Sequence, residues 1–156
     1  MPLSKIVQNS VDTPVAGTGP AFSAYASSVQ SLTNGVFNVI TINIKEFDTA
    51  SAYNTTTYAF TPLVAGYYQV NGQVNFASTL ALCFSGILKN GSRYKDGNWV
   101  NQTANPASLV SSIVYLNGST DYINLFAYQS SGGALNTNNF GNTYANYFNA
   151  TLIRAA

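Results

Sequence analysis

The sequence predicts an all-β domain, a two-sheet antiparallel sandwich of the jelly-roll kind, preceded by a short extended N-terminal arm. Three observations lead there. Aromatic residues make up 13% of the 156 residues and charged ones only 7%, against about 25% charged in an average soluble domain. Asn, Ser and Thr supply the polarity instead, and with Tyr, Val and Phe they describe strands joined by many turns. Short alternating or continuous apolar runs recur along the chain, with no helical period and no fixed-length repeat. Asn-Gly pairs stand between several of these runs, where tight turns need positive φ.

Residues 1–20 read as the arm and residues 21–156 as the jelly-roll domain. In the arm, Ile6, Val7, Val11 and Val15 are spread among polar residues without period, and the stretch ends in "AGTGP". Such a segment cannot bury enough apolar surface to fold alone, so these four residues are expected to anchor on a neighbouring subunit or partner. Strands are expected at 21–26, 36–44, 57–61, 66–77, 80–89, 93–100, 108–116, 121–129 and 142–153. After Gly66 the alternation is clearest: Tyr68, Val70, Gly72, Val74 and Phe76 share one face, and Tyr67, Gln69, Asn71, Gln73 and Asn75 share the other. That second face carries amides and a tyrosine but no charge. "ILKNGSRY" centres a type I′ hairpin on Asn90-Gly91, "YLNGSTDYINLFAY" is read the same way at Asn117-Gly118, and "KEFDTAS" is read as a solvated loop.

The chemistry-bearing residues are few. There is no histidine, which removes the usual general base and the commonest metal ligand. Of Asp12, Glu46, Asp48, Asp96 and Asp121 only Glu46 and Asp48 are close in sequence, in a stretch that reads as a solvated loop rather than a catalytic pair. Five acids are too few to favour a calcium shell of six or more oxygens, to which Asp48 or Asp96 could contribute. The sequence therefore assigns no catalytic residue, no metal ligand and no cofactor, and predicts no enzyme. A net charge of +1 without a cationic stripe argues against nucleic acid as a partner. No apolar run is long enough to cross a bilayer, and "MPLSKIVQNS" lacks the apolar region of a secretory signal. Cys83, in "LALCFSG", is expected to be a small core hydrophobe, and a single cysteine suits assembly in a reducing cytosol. "GSRYKDGNWVNQ" gathers Arg93, Tyr94 and Trp99 into a candidate ligand patch, although Trp99 equally suits packing against the rim of the sandwich. "SSGGALNTNNFGN" (130–142) is either a recognition loop or a plain connection.

The order of several motifs resembles the globular head of complement C1q, which belongs with tumour necrosis factor among trimeric jelly rolls. The matching positions are Phe22-Ser23-Ala24, then Phe60, Thr61, Gly66 and Tyr68, then Lys89-Asn90-Gly91. Leu116, Gly118, Asp121, Phe148 and Leu152 complete the set. Pro62 falls one position early, the Gly-Asp turn is opened to Gly-Ser-Thr-Asp, and no Gly-x-y tract is present. The opening "MPLSKIVQNSVDTPVAGTGPAF" resembles the start of C1q-like proteins of tailed bacteriophages.

This resemblance implies a homotrimer in which one sheet faces the threefold axis, with Tyr67, Gln69, Asn71, Gln73 and Asn75 toward neighbouring subunits. Identical charges meeting near such an axis would repel, whereas amides can pair with their own copies because they donate and accept. The implied role is structural: a capsid decoration or cement protein of a phage virion, its arm docked on the capsid protein, assembled in the host bacterial cytoplasm. The alternatives are a tail- or head-fibre tip that binds host surface glycans through Tyr94, Trp99 and the 130–142 loop, and a secreted C1q-like binding protein.

Overall fold

A computed structural model describes residues 18–77, 81–102, 104–141 and 144–156. The arm residues Ile6, Val7, Val11 and Val15 lie outside the described residues. Among those described, the chain forms β1 (Ala21–Tyr25), β2 (Ser31–Leu32), β3 (Asn38–Val39), β4 (Ile44–Asp48), β5 (Tyr53–Asn54), β6 (Ala59–Phe60) and β7 (Ala65–Asn75). These are followed by β8 (Cys83–Lys89), β9 (Ser92–Asp96), β10 (Ala107–Asn117), β11 (Ile123–Gln129), β12 (Leu135–Asn136) and β13 (Tyr147–Ala155). The first sheet has the order β10-β7-β13-β1-β4 and the second β5-β6-β11-β8-β9, with β3 also paired to β11; β12 and β2 form a small third sheet.

The core follows from the alternation. Tyr68, Val70 and Val74 of β7 are fully buried beneath Phe22 and Phe148 of β1 and β13. From the second sheet they meet Phe60, Ile87, Ile123 and Leu125. Phe22 stacks on Tyr53 at 4.4 Å and on Phe60 at 4.6 Å, and meets Phe148 edge-on at 5.3 Å. The motif residues Phe22, Phe60, Tyr68, Leu116, Phe148 and Leu152 are therefore all core positions. Cys83 is fully buried as well, and burial pushes its thiol up to about 11, so it packs as an apolar side chain.

Asn90 and Gly91 both have positive φ, 52° and 76°, as the two-residue hairpin between β8 and β9 requires. Asn117-Gly118 differs from its expected role. β10 belongs to the first sheet and β11 to the second, so the pair turns a crossover between sheets. The Asn117 side-chain oxygen accepts N–H bonds from Ser119, Thr120 and Asp121 (2.9–3.0 Å), and only Gly118 takes positive φ.

Asp121 then ties both turns together. It accepts from the Asn90 amide at 2.8 Å and the Asn117 N–H at 3.1 Å, and pairs with Lys89 at 2.9 Å. The Lys-Asn-Gly and Gly…Asp motifs are thus two halves of one turn assembly.

Two further expectations are corrected. The strand expected at 36–44 is mostly irregular, because the Gln30 side chain takes over its ladder: Nε2 donates to the Val39 carbonyl at 2.9 Å and Oε1 accepts from the Thr41 N–H at 2.8 Å. Ile40 and Ile42 still reach the core. "KEFDTAS", expected to be a loop, instead supplies most of β4, the edge of the first sheet. There the nearly buried Asp48 carboxylate accepts N–H bonds from Ala52 and Tyr53, both at 3.0 Å, and pairs with Lys45 at 3.2 Å. The described part of the 130–142 loop, residues 130–141, is more tied down than a plain connection: β12 pairs with β2, and Gln129 Nε2 donates to the carbonyls of Leu32 and Gly133.

Candidate functional site

The sandwich presents two outer faces of different character. On the first sheet, register places Ser111, Asn71, Asn149 and Ser23 side by side across β10, β7, β13 and β1. The side chains of the first three bond to one another, with Gln69 joining them. Ser111 Oγ donates to Asn71 Oδ1 at 2.8 Å, Asn71 Nδ2 donates to Asn149 Oδ1 at 3.0 Å, and Gln69 Nε2 donates to Ser111 Oγ at 3.0 Å. Gln73 donates to the Ala145 carbonyl at 3.0 Å. Each amide of this face therefore makes at least one side-chain hydrogen bond within the chain.

Asn75 stands apart from the other four predicted seam residues. It is 4% exposed, its amide donates to the Ala145 carbonyl, and its backbone N–H donates to Asn146 Oδ1 at 2.7 Å. The segment leading into β13 covers it, so it takes no part in the exposed surface.

Around the amides, beside the predicted Tyr67 of β7, stand large apolar side chains that sequence reasoning missed. Leu109, Ile113 and Tyr115 of β10 and Ile153 of β13 are all exposed, Ile113 to 53%. The signal lay in "SLVSSIVYLN", where both parities contain apolar residues and only one parity fits the core. Tyr67 and Tyr115 meet at 5.4 Å, and Tyr67, Ile113, Ile153 and Arg154 border an open hollow of about 430 Å³. Four of the five strands, β10, β7, β13 and β1, contain a single charged residue, Arg154.

The outer face of the second sheet carries a closed aromatic cluster. Phe84, Leu88 and Phe126 are buried there, against the ordinary rule that an outward parity meets water. Phe84 stacks between Trp99 (5.1 Å, 17°) and Tyr128 (5.2 Å, 30°) and meets Phe126 edge-on. Phe37 adds a T-shaped contact to Phe126 at 5.0 Å. The Arg93 guanidinium lies 5.2 Å from the Phe84 ring and 5.4 Å from Phe37. It is held by Asp96, to whose Oδ1 its Nε donates at 2.7 Å. That bond raises the already high pKa of Arg93.

Of the predicted ligand patch, Arg93 and Trp99 are brought together through Phe84, but Tyr94 is not. It sits on the other side of β9, with Lys89 Nζ 5.8 Å and Lys95 Nζ 5.3 Å from its ring. Consecutive strand residues point to opposite faces, which is why 93 and 94 part company.

Among solved structures, the globular domain of a zebrafish complement 1qA protein aligns with a TM-score of 0.63 and 15% identity, covering 88% of this chain and 99% of that one. Murine APRIL aligns at 0.62 and 10% identity (85% and 98% covered), and the Eiger TNF of S. frugiperda at 0.61 and 8% (88% and 93% covered). The fold is the C1q/TNF-like jelly roll. No protein-family model and no curated protein sequence matches the chain. In this C1q/TNF-like frame most of the motif residues named from the sequence occupy the core and the turns, and Ser23 lies on the outer face of the first sheet.

Proposed function

We propose that this chain is a self-associating structural module: a homotrimer joined through the outer face of the first sheet, serving as a decoration protein of a phage capsid. The observation that carries the self-association is the charge-poor face of β10, β7, β13 and β1, whose strands hold Arg154 as their single charged residue and on which Leu109, Ile113, Tyr115, Tyr67 and Ile153 surround hydrogen-bonded amides. An exposed apolar patch of this kind marks an interface, and depletion of charge is the compositional signature of an interface core. The C1q/TNF-like fold supports a threefold arrangement, and the phage-like opening sequence supports the virion setting.

Sedimentation velocity tests the first step. A species of three times 16.6 kDa is expected, and a monomer across the accessible concentration range overturns it. The second step is tested with purified capsids: a chain lacking residues 1–18 remains trimeric and no longer binds them. Unchanged capsid occupancy overturns the arm as the anchor.

A second reading, glycan recognition at a fibre tip, is favoured by one observation. Trp99 is 57% exposed with one ring face already stacked on Phe84, leaving an apolar plate beside a guanidinium. In that case purified protein blocks host adsorption and Trp99→Ala abolishes the block.

A further inference from the structure

Charge is so scarce in this chain that its partners can be traced one by one. Lys45 pairs with Asp48, Lys89 with Asp121 and Arg93 with Asp96. Glu46, Lys95 and Arg154 are left outside any ion pair among the described residues. Glu46 stands in a specific setting. It accepts a bond from Ser23 Oγ at 2.6 Å and borders a pocket of about 240 Å³ lined also by Tyr25, Tyr144, Tyr147 and Asn149. Tyr25 and Tyr144 approach at 6.1 Å with their rings tilted by 54°. Tyrosine walls around a carboxylate suit a cation, because ring faces attract an ammonium within about 6 Å and the carboxylate supplies the countercharge.

We infer that this pocket receives the Lys95 ammonium of a neighbouring copy. The inference rests on the self-association reading, and charge complementarity selects the occupant. β4, which carries Glu46, ends the first sheet; β9, which carries Lys95, ends the second. The two edges are on opposite flanks of the sandwich, because β8, the neighbour of β9, is joined to β10 on the far side of the first sheet. Ser85 N donates to Ser108 Oγ at 2.7 Å, and Ser85 Oγ bonds the same hydroxyl at 3.0 Å.

Contacts that close a ring of identical subunits join one surface of each copy to a different surface of the next. The Lys95 edge and the Glu46 pocket are two such surfaces with opposite charge. The Tyr94 ring centroid lies 5.3 Å from Lys95 Nζ, so a tyrosine-bordered cation meets a tyrosine-walled anion. The long lysine stem allows the ammonium to enter while its methylenes lie on the rings.

The test uses the full chain with Glu46→Lys and Lys95→Glu, separately and together, and measures dissociation of the assembly by dilution and sedimentation. Each single reversal is expected to raise the dissociation constant about tenfold or more. The double reversal should return it to within about threefold of the unsubstituted chain, the mark of direct coupling. Circular dichroism and melting curves identify any variant that fails to fold. Glu46→Gln and Lys95→Met then replace it and should weaken assembly in the same direction by less.

Single variants without effect, or a double variant whose losses add, overturn the inference. Rescue of Glu46→Lys by Arg154→Glu and not by Lys95→Glu also overturns it, by making Arg154 the occupant. If the unsubstituted chain is monomeric, the self-association reading falls and this inference with it. If it is trimeric and the charges are uncoupled, this inference falls alone.

Discussion

The two outer faces of this sandwich both carry large apolar side chains and use them in opposite ways. On the second sheet, Phe84 and Phe126 are buried because Phe37, Trp99, Tyr128 and the Arg93 guanidinium cover them. On the first sheet, Ile113, Leu109 and Ile153 stand exposed among hydrogen-bonded amides, with no described residue over them. One face closes on itself and behaves as a second small core; the other is finished in its polar part and left open in its apolar part. Exposed aromatic area alone does not identify a contact surface. Whether the apolar groups already have neighbours within the chain decides it.

The largest effects should separate the faces. Phe84→Ala removes the ring on which Trp99, Tyr128 and Arg93 rest, and is expected to cost about 3 kcal/mol of folding stability, read from urea unfolding at fixed protein concentration. Ile113→Ser on the first sheet should leave the folding of the isolated subunit within about 0.5 kcal/mol, as for an ordinary surface change, while dissociating the assembly. If Ile113→Ser destabilises the fold as much as Phe84→Ala, the first face is not open in the sense argued.

The edge of the first sheet gives an intermediate effect. Burial alone would raise the Asp48 carboxyl, but the N–H groups of Tyr53 and Ala52, together with Lys45, outweigh it and hold it below its ordinary value of 3.8. Asp121 is lowered too, by the Asn90 amide first and then by Lys89. A carboxyl lowered on folding contributes stability that is complete above its unfolded value and is lost as pH falls through the folded one. Stability should therefore hold down to about pH 4 and decline below it. Asp48→Asn should flatten that decline in pH-dependent melting. At neutral pH, Asp48→Ala should cost about 2 kcal/mol, because charged hydrogen bonds are lost and two donors are left without an acceptor.

Like charges planted on the first face should act on association and not on folding. Gln69→Glu with Asn71→Asp is expected to weaken the assembly about tenfold, about 1.4 kcal/mol, by sedimentation. The amides bond within the chain, so the weakened assembly comes from repulsion between copies rather than from broken amide pairs between subunits.

Much of the fold was legible because period-two alternation and Asn-Gly turns are local signals. β7 and the Asn90-Gly91 hairpin followed directly from them. The failures have physical causes. The stretch 36–44 has strand-like composition, yet a distant side chain, Gln30, satisfies its backbone, and no local pattern records that. Asn117-Gly118 carries the hairpin dipeptide, but its flanking strands enter different sheets, so the Asn side chain caps a loop instead. β4 was taken for a loop because it is charged, as exposed edge strands commonly are.

In the candidate sites, the uncharged parity of β7 was readable, whereas the burial of Asn75 depends on a segment seventy residues away. The split of Tyr94 from Arg93 was already implied by strand parity. The aromatic cluster on the second sheet was hidden because Phe84 stands in the continuous apolar run "LALCFSG", where parity does not separate the inner face from the outer.

The smallest expected effect is the one that tests whether the closed face is finished. Trp99 is more than half exposed and contributes chiefly its stack on Phe84, worth about 1 kcal/mol. Trp99→Ala should lower stability by about that much and leave assembly unchanged, since Trp99 and the first-sheet face are on opposite sides of the sandwich. A loss near 3 kcal/mol would make Trp99 a true lid of the Phe84 cluster, and the closed face would then be purely structural. A loss near 1 kcal/mol leaves the ring available, because a side chain that adds so little to folding keeps its outer surface for something else. Only that second outcome is compatible with a ligand on this face, so the melting curve of a single variant precedes any search for a glycan.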